Sequence, residues 1–275
     1  MPTGLRRLAW LAAAVLCSGP VRADCLPVAW AWQAGAEHSR WQEQADNGRR
    51  LLQERGTLAT LAGQATLACS GLQWQATLGL ADGRRGYQGQ SSTGQPVTTH
   101  SQIRRLHWQA AALLPVPSWG SGWGSGWKAG MALGQVRLWR RIASAGPVLG
   151  YPERFDQWQA MALLDHGRVL QPGLGLQARL ALGAGPPGRL WLQLPIADAR
   201  ALRLGSSRAV QLDLALLGGQ AADATAGWRV GLSWRHQRTG AGPAATLWRG
   251  NLPVGAAAQP AIRQTDLGLH AGWRW

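Results

Sequence analysis

Apolar and polar residues alternate strictly over the last nine positions of the chain. Leu267, Leu269, Ala271, Trp273 and Trp275 are apolar, and the residues between them are polar or glycine. A period of two places successive side chains on opposite faces of a β-strand. The pattern therefore predicts a strand over 261–275 with one apolar face and one polar face.

Four earlier segments show the same alternation. Their apolar positions are Leu72, Trp74, Ala76, Leu78 and Leu80; Leu106, Trp108 and Ala110; Leu174, Leu176, Ala178, Leu180 and Leu182; and Trp228, Val230, Leu232 and Trp234. Repeated alternation of this kind is typical of membrane-spanning β-barrels, in which one face meets lipid and the other meets the lumen. We expect an all-β fold, a closed antiparallel transmembrane β-barrel. The alternative is a soluble periplasmic β-sandwich, whose apolar faces would pack on each other.

Turn-forming residues divide the chain into ten candidate strands. These are 26–40, 57–69, 71–83, 100–114, 122–141, 153–165, 172–183, 206–217, 227–238 and 261–275. An even number of strands places both termini in the periplasm, with short turns such as Ser70-Gly71 on that side. The longer connections, which become extracellular loops, are about 41–56, 84–99, 142–152, 184–205 and 239–260. Twelve strands are the alternative if residues 189–194 belong to a further hairpin.

The N-terminal segment has the features of a secretory signal peptide. Arg6 and Arg7 precede an apolar run over 8–16, and Val21-Arg22-Ala23 fits a cleavage site. About nine apolar residues are too few to cross a bilayer as a helix. We expect residues 1–23 to be removed and residues 24–275 to form one outer-membrane barrel domain.

Tryptophan usage supports a membrane location. The chain has 17 tryptophans but only two tyrosines and one phenylalanine. The indole ring favours the level of the lipid headgroups, where its body is in an apolar layer and its N–H is hydrated. The repeat over 119–127, in which tryptophan recurs every fourth residue, is interpreted as a turn that carries such interfacial rings.

The chain is strongly basic, with a formal net charge of +15. A basic surface attracts phosphate, which nucleic acid, anionic lipid headgroups and lipopolysaccharide all present. Export argues against nucleic acid, so we expect outer-membrane lipid and lipopolysaccharide as partners. The arginines expected near the outer rim, where they would contact phosphate, are Arg84, Arg85, Arg140, Arg141 and Arg154.

Two cysteines remain after removal of the signal peptide, Cys25 and Cys69. They lie at the periplasmic ends of the first two candidate strands, which are antiparallel neighbours. Facing residues of such strands are about 4.5–5.5 Å apart at Cα, within reach of a disulfide. We predict that the bond forms in the oxidising periplasm. The alternative is a pair of free thiols.

The polar faces of the candidate strands carry many charged side chains. The residues expected in the lumen are Arg105, His107, Arg179, Asp213, Arg229, Arg235, Asp266 and His270. A barrel of this size is narrow, so side chains should fill it. Buried charges need partners, and Asp213 and Asp266 are the expected counter-ions of the arginines. A narrow anion-selective channel lined by arginine is the alternative to this plugged lumen.

Catalysis would require carboxylates and histidines that meet at the extracellular rim. The candidates are His38, Asp82, His100 and Asp156, because a histidine held by a carboxylate activates water or a hydroxyl. Asp165-His166 is expected at a periplasmic turn, away from a substrate route. The spacings typical of zinc sites, nucleotide-binding loops and nucleophile elbows do not occur. We therefore expect no metal and no cofactor.

The signal peptide, the alternating strands and the terminal Trp273-Arg274-Trp275 resemble those of small outer-membrane β-barrels of Gram-negative bacteria. In that class a terminal aromatic residue is part of the signal read by the barrel assembly machinery, so the resemblance implies this partner through Trp273 and Trp275. Ten strands and five loops are most similar to the omptin proteases, whose site uses an Asp pair and an Asp-x-His pair. Here Asp82 and Asp156 stand alone and Asp-x-His does not occur. The resemblance implies the omptin barrel size without the protease activity.

A second resemblance concerns Glu37-His38-Ser39, which matches the His-Ser-Glu triad of lipid A deacylases in composition alone. Neighbouring residues of a strand point to alternate sides, so these three would not converge. The sequence as a whole predicts a monomeric outer-membrane barrel with a structural role or a ligand- or lipopolysaccharide-binding role. An outer-membrane hydrolase with a rim site and an anion channel are the alternatives.

Overall fold

The computed structural model describes residues 25, 28–90, 94–116, 126–219 and 226–275. The predicted signal peptide (residues 1–23) and most of the tryptophan repeat lie outside the described residues. The strands are β1 (Ala29–Gln44), β2 (Arg50–Cys69), β3 (Leu72–Gln90), β4 (Pro96–Pro115), β5 (Trp127–Ile142), β6 (Pro152–Gln171), β7 (Leu174–Gly185), β8 (Arg189–Leu192), β9 (Arg200–Arg203), β10 (Ser207–Gly218), β11 (Gly227–Thr239), β12 (Ala245–Arg249), β13 (Leu252–Ala257) and β14 (Ala261–Arg274). No helix in this part of the chain is long and apolar enough to cross a membrane.

Ten of the strands form a closed antiparallel barrel. Their order is β5-β4-β3-β2-β1-β14-β11-β10-β7-β6, and β5 pairs with β6 to close the ring. The first and last barrel strands are neighbours, in a register that runs from Ala31 opposite Arg274 to Gln44 opposite Ala261. The prediction of a ten-stranded barrel is confirmed.

The further hairpin considered at residues 189–194 exists but does not enlarge the barrel. It is the β8–β9 hairpin, and β8 pairs with the start of β6, from Leu192 opposite Glu153 to Arg189 opposite Asp156. Each of its strands has four residues, whereas a spanning strand needs about 9–11. The twelve-strand alternative is therefore wrong. The β12–β13 hairpin forms a separate two-stranded sheet in the last loop.

The barrel strands continue further at the extracellular end than the sequence predicted. The loop expected at 41–56 shortens to residues 45–49, around Asn47-Gly48. In the loop expected at 84–99, β3 continues to Gln90 and β4 begins at Pro96. The reason is that the inward residues of these extensions, such as Trp41 and Tyr87, are buried in a common core. Strand pairing therefore continues above the level of the membrane.

The periplasmic end is built from tight turns. Ser70 and Gly71 both have positive φ (46° and 84°), as a two-residue type I′ hairpin turn requires. Beside this turn, Cys25 and Cys69 form a disulfide with a Cα–Cα distance of 4.1 Å. The predicted bond is therefore present. It attaches the chain preceding β1 to the end of β2.

The outer wall carries an apolar band with a level of tryptophans at its periplasmic edge. Leu61, Leu78, Leu133, Leu182 and Leu269 are among its exposed leucines. The exposed tryptophans toward the periplasmic end are Trp30, Trp32, Trp74, Trp228, Trp273 and Trp275. Because these large apolar side chains face outward, the wall is suited to lipid contact.

Candidate functional site

A network of buried charges crosses the middle of the lumen. The Arg105 guanidinium donates from Nη2 to Glu37 Oε2 at 2.5 Å and from Nη1 to Asp266 Oδ2 at 3.0 Å. Ser39 donates to the same Asp266 carboxylate and accepts a hydrogen bond from Arg85 Nη2 at 2.7 Å. Four barrel strands are joined through this network, which forms the ceiling of the space below it.

A second charged cluster lies nearer the extracellular end, around Arg140. This guanidinium contacts Glu153 at 2.5 Å, Glu43 at 2.9 Å and Glu54 at 3.7 Å, and Ser101 donates to Glu54 at 2.6 Å. The outer apolar band of β6 begins only at Trp158, so the cluster lies above the membrane-spanning part of the barrel. It holds more carboxylates than cations.

Burial raises the pKa of Glu153 to about 7, with Arg140 opposing the shift and the Glu43 and Glu54 carboxylates adding to it. Burial likewise raises the pKa of Tyr151, in the loop before β6, with the negative charge of Glu153 adding to the effect. The cluster therefore favours one bound proton near neutral pH.

Two of the predicted phosphate contacts are wrong. Arg85 and Arg140 are 0% and 1% exposed and face the lumen, where they contact Ser39 and the glutamates. Each has a neighbour in sequence, Arg84 and Arg141, that faces outward and is exposed. Side chains alternate along a strand, so only one arginine of each pair is on the outer wall. Arg154 also lies on the outer wall.

Apolar side chains fill the lumen between and above the two charged networks. Trp41 and Phe155 are in edge-to-face contact with ring centroids 5.3 Å apart, and the Arg140 guanidinium lies 5.3 Å from the centre of the Trp41 ring. Leu58 and Ile103 are 0% and 1% exposed in the same cluster. The extracellular half of the lumen is thus filled by side chains.

Below the ceiling the lumen contains a cavity of about 540 Å³ that reaches the periplasmic ends of the strands. All eight predicted lumen residues line it: Arg105, His107, Arg179, Asp213, Arg229, Arg235, Asp266 and His270. The His107 ring lies over Gly79, where a Cβ atom would overlap the imidazole. The alternation in the sequence therefore identified these inward-facing residues, whereas the size of the cavity is known only from the structure.

The expected pairing of these lumen charges is only partly correct. Asp266 is a counter-ion of Arg105 as predicted, but Arg179 contacts Asp165, at 2.5 Å. Asp213 accepts a hydrogen bond from Gln211 at 2.8 Å, and no arginine of the described residues lies within ion-pair distance of it. Asp165 was expected at a turn, but it is buried inside β6, because that strand continues to Gln171.

The outer wall carries a ring of arginines at the extracellular edge of the apolar band. Nine of the ten barrel strands place one outward arginine there: Arg40, Arg55, Arg84, Arg104, Arg137, Arg154, Arg208, Arg238 and Arg263. The outward carboxylates among the described residues at this level are Asp82, which contacts Arg104 at 2.9 Å, and Asp156, which contacts Arg137 at 2.5 Å and Arg154 at 3.2 Å. The ring has a large excess of positive charge.

Three arginines of this ring form a continuous row across three adjacent strands. Arg208 pairs with Arg238 across β10 and β11, and Arg238 pairs with Arg263 across β11 and β14. All three are exposed, and no carboxylate of the described residues lies within ion-pair distance of them. Like charges directly opposite each other destabilise a sheet, so the arrangement is suited to an anion that binds between them.

The rim residues considered for catalysis do not converge. His38, Asp82, His100 and Asp156 face outward on four different strands, and both aspartates are engaged by arginines. Glu37 and Ser39 face the lumen and His38 faces away from it, as strand alternation predicts. Within the described part of the chain, no group of three or more metal-ligating side chains is present.

Sequence reasoning missed the glutamates that surround Arg140. Glu43 and Glu54 fall in segments expected to be loops, so their side-chain direction was not assigned. The available signal was the alternation in β1, because Glu43 is on the same face as Glu37 and Trp41.

The likeness to one known structure supports the architecture. The outer-membrane protease OmpT from Escherichia coli is similar with a TM-score of 0.54 and 12% identity, over 90% of this chain and 96% of that one. The β domain of the Bordetella autotransporter BrkA matches with a TM-score of 0.42 and 15% identity, over 90% and 99% of the two chains. The translocator domain of NalP from Neisseria meningitidis gives 0.37 and 12%, over 96% and 93%.

The fold and the apolar outer wall define a multi-pass β-barrel of the cell outer membrane. At 12% identity the likeness to OmpT shows the fold alone. No protein-family model matches the chain, and no curated protein matches its sequence.

Proposed function

We propose that the protein is a non-conducting, monomeric outer-membrane barrel that binds the phosphates of lipopolysaccharide through its outer arginines. The observation that carries the proposal is the row of Arg208, Arg238 and Arg263, which are exposed and directly opposite one another on adjacent strands. A phosphate between two guanidinium groups replaces their repulsion with charge-assisted hydrogen bonds.

The position of the ring suits this ligand. The arginines follow the apolar band on the extracellular side, at the level where lipid headgroups begin. The ring continues around most of the barrel, whereas a site for a single soluble ligand would be confined to one place. Lipopolysaccharide presents phosphorylated sugars at this depth, so it matches both the positive charge of the ring and its extent around the barrel.

A second part of the ring adds aromatic surfaces. Arg137 and Arg154 share the single carboxylate of Asp156. The Arg137 guanidinium lies 5.8 Å from the centre of the Trp139 ring, and the Arg154 guanidinium lies 4.9 Å from the centre of the Trp191 ring. One carboxylate cannot satisfy all the N–H donors of two guanidinium groups. Phosphate would use the remaining donors, and the indole rings would contact sugar.

The test compares the double variant R238Q/R263Q with R49Q/R249Q. Both pairs remove two exposed positive charges, but Arg49 and Arg249 lie in extracellular loops. Refolded barrels are titrated with lipopolysaccharide and with the same lipopolysaccharide after enzymatic removal of its phosphates. We expect R238Q/R263Q to weaken binding about tenfold, equivalent to about 1.4 kcal/mol, and dephosphorylation to have a similar effect on the unmodified protein.

The loop control should bind like the unmodified protein. An equal loss of affinity in the two double variants would mean that binding depends only on net charge. An affinity that does not depend on the phosphates would refute the proposal. The non-conducting part is checked in planar bilayers, where we expect no steady current. A stable anion-selective current would favour the channel alternative.

A further inference from the structure

The periplasmic half of the lumen contains a cavity that the proposed lipopolysaccharide contacts do not use. Its volume of about 540 Å³ is in the range of small-molecule binding sites, about 300–1,000 Å³. The Arg105 network and the apolar cluster close it at the extracellular side. A solute would therefore enter and leave from the periplasm.

Among the described residues, the wall of this cavity carries more cations than anions. The described lining below the ceiling includes Arg168, Arg179, Arg229 and Arg235. Asp165 neutralises Arg179, and Asp213 is the one lining carboxylate among the described residues that is not engaged by the ceiling. An enclosed wall with this balance concentrates anions.

Two of these arginines have neutral partners only. Arg229 Nη1 donates to Gln177 Oε1 at 2.8 Å, and Arg235 Nη2 donates to Gln159 Oε1 at 2.9 Å and to Gln237 Oε1 at 2.7 Å. Neither has a carboxylate of the described residues within ion-pair distance. A half-buried guanidinium that has no carboxylate within ion-pair distance favours binding of an anion.

Unused polar atoms in the same wall support a ligand. Arg229 Nε and Gln159 Nε2 are buried N–H donors without a hydrogen-bond partner, and His270 Nε2 is also unpartnered. Unsatisfied buried polar atoms are uncommon in folded proteins. Here they occur together on the lining of one cavity.

The rest of the wall is rich in glutamine. Among the lining residues, six strands each contribute one of Gln33, Gln64, Gln75, Gln109, Gln159 and Gln177. An amide both donates and accepts hydrogen bonds, so it suits hydroxyl groups. Arginine and glutamine together fit a ligand that has an anionic group and several hydroxyls.

We propose that this cavity, the periplasmic cup, binds a small phosphate monoester of a polyhydroxylated compound. Arg229 and Arg235 supply the positive charge for the phosphate, and the glutamines bind the hydroxyls. The cup is a binding site at the periplasmic side, independent of the outer arginine ring.

The experiment places a single reactive thiol in the cup with the variant S233C. Ser233 lies on β11 between Arg229 and Arg235 and lines the cavity. Labelling rates are measured with methanethiosulfonate reagents of similar size that carry either a sulfonate or a trimethylammonium group. The variant S206C, at an exposed extracellular position, gives the intrinsic ratio of the two reagents.

We expect the anionic reagent to label S233C at least about tenfold faster than the cationic one, relative to S206C. Glucose 1-phosphate should slow this labelling with saturation, and glucose should not. Adding R235Q should reduce both the preference and the protection several-fold. Adding Q177E should do the same while preserving the fold, because it gives Arg229 a carboxylate partner of unchanged size.

Three outcomes would overturn the proposal. Equal labelling by the two reagents would show that the cup has no preference for anions. Equal protection by glucose and glucose 1-phosphate would exclude a phosphate site. No labelling of correctly folded S233C would show that solutes do not reach the cup. The variant R238Q/R263Q should leave all these rates unchanged, which separates the cup from the outer ring.

Discussion

Replacement of Arg140 by leucine tests the reasoning about the buried charges most sharply. The change removes the cation that contacts Glu43, Glu54 and Glu153, at 2.9, 3.7 and 2.5 Å, and leaves Arg85 as a cation near Glu54, at 3.8 Å. These carboxylates are buried, and loss of one partner of a buried ion pair costs about 3–5 kcal/mol. R140L should therefore lower the free energy of unfolding by about that amount at pH 8.

The matched control is R141L. Arg141 is the next residue of β5, carries the same charge and faces outward, so its loss in phosphate-free detergent should change stability by less than about 0.5 kcal/mol. Both variants are measured by urea unfolding, followed by tryptophan fluorescence and by the gel mobility of the folded barrel. The double variant R140L/E153Q should recover part of the loss, since it removes one unpaired carboxylate.

If R140L and R141L lose equal stability, or if R140L loses less than about 1 kcal/mol, the buried ion pairs of Arg140 do not stabilise the barrel. If R140L/E153Q is no more stable than R140L, the loss of stability comes from packing of the arginine stem and not from unpaired charge.

Four other changes have defined outcomes. Because the pKa of Glu153 is raised from an ordinary 4.5 to about 7, the folded barrel binds more protons than the unfolded chain in this window. The free energy of unfolding should therefore fall by about 1–3 kcal/mol between pH 5 and 8. E153Q should make the urea midpoint nearly independent of pH over this range. A midpoint that rises with pH in the unmodified protein would contradict the raised pKa of Glu153. The variant G79A should cost about 1–3 kcal/mol, because its methyl group would overlap the His107 ring. The control G63A has open space around its Cβ, and equal unfolding midpoints would refute the packing argument. Loss of the disulfide in C25S/C69S should cost about 2–4 kcal/mol, and a reducing agent should lower the midpoint of the unmodified protein but not of this variant. Deletion of Trp275 should reduce the amount of barrel assembled in cells without affecting refolding in detergent; equal loss in both would place the defect in folding itself.

The strand alternation in the sequence was sufficient to predict the barrel and its lumen charges, since side-chain direction follows from residue parity. Continuing the alternation of Trp74, Leu78 and Leu80 along β3 also places Arg85 inside the barrel, where the structure has it. The same continuation from Met131 and Leu133 places Arg140 inside. Arg85 was misplaced because residues 84–99 were expected to be a loop, whereas Arg140 lay in the candidate strand 122–141 and the direction of its side chain was not assigned.

Other features depend on geometry that the sequence does not contain. Arg179 has Asp165 directly opposite it on β6 and Asp213 directly opposite it on β10. Only the side-chain conformations determine that Asp165 forms the ion pair. Likewise, the cavity depends on how far side chains from ten strands reach across the lumen, and no single strand determines this.

Gel mobility combined with membrane fractionation tests whether the chain forms a closed barrel in the outer membrane. The mature protein is recovered from each cell fraction and run in detergent with and without boiling. The structure predicts a band in the outer-membrane fraction whose mobility changes on heating, because a closed barrel stays folded in the detergent until it is boiled. A soluble periplasmic band with the same mobility before and after boiling would contradict the barrel and both binding proposals that depend on it.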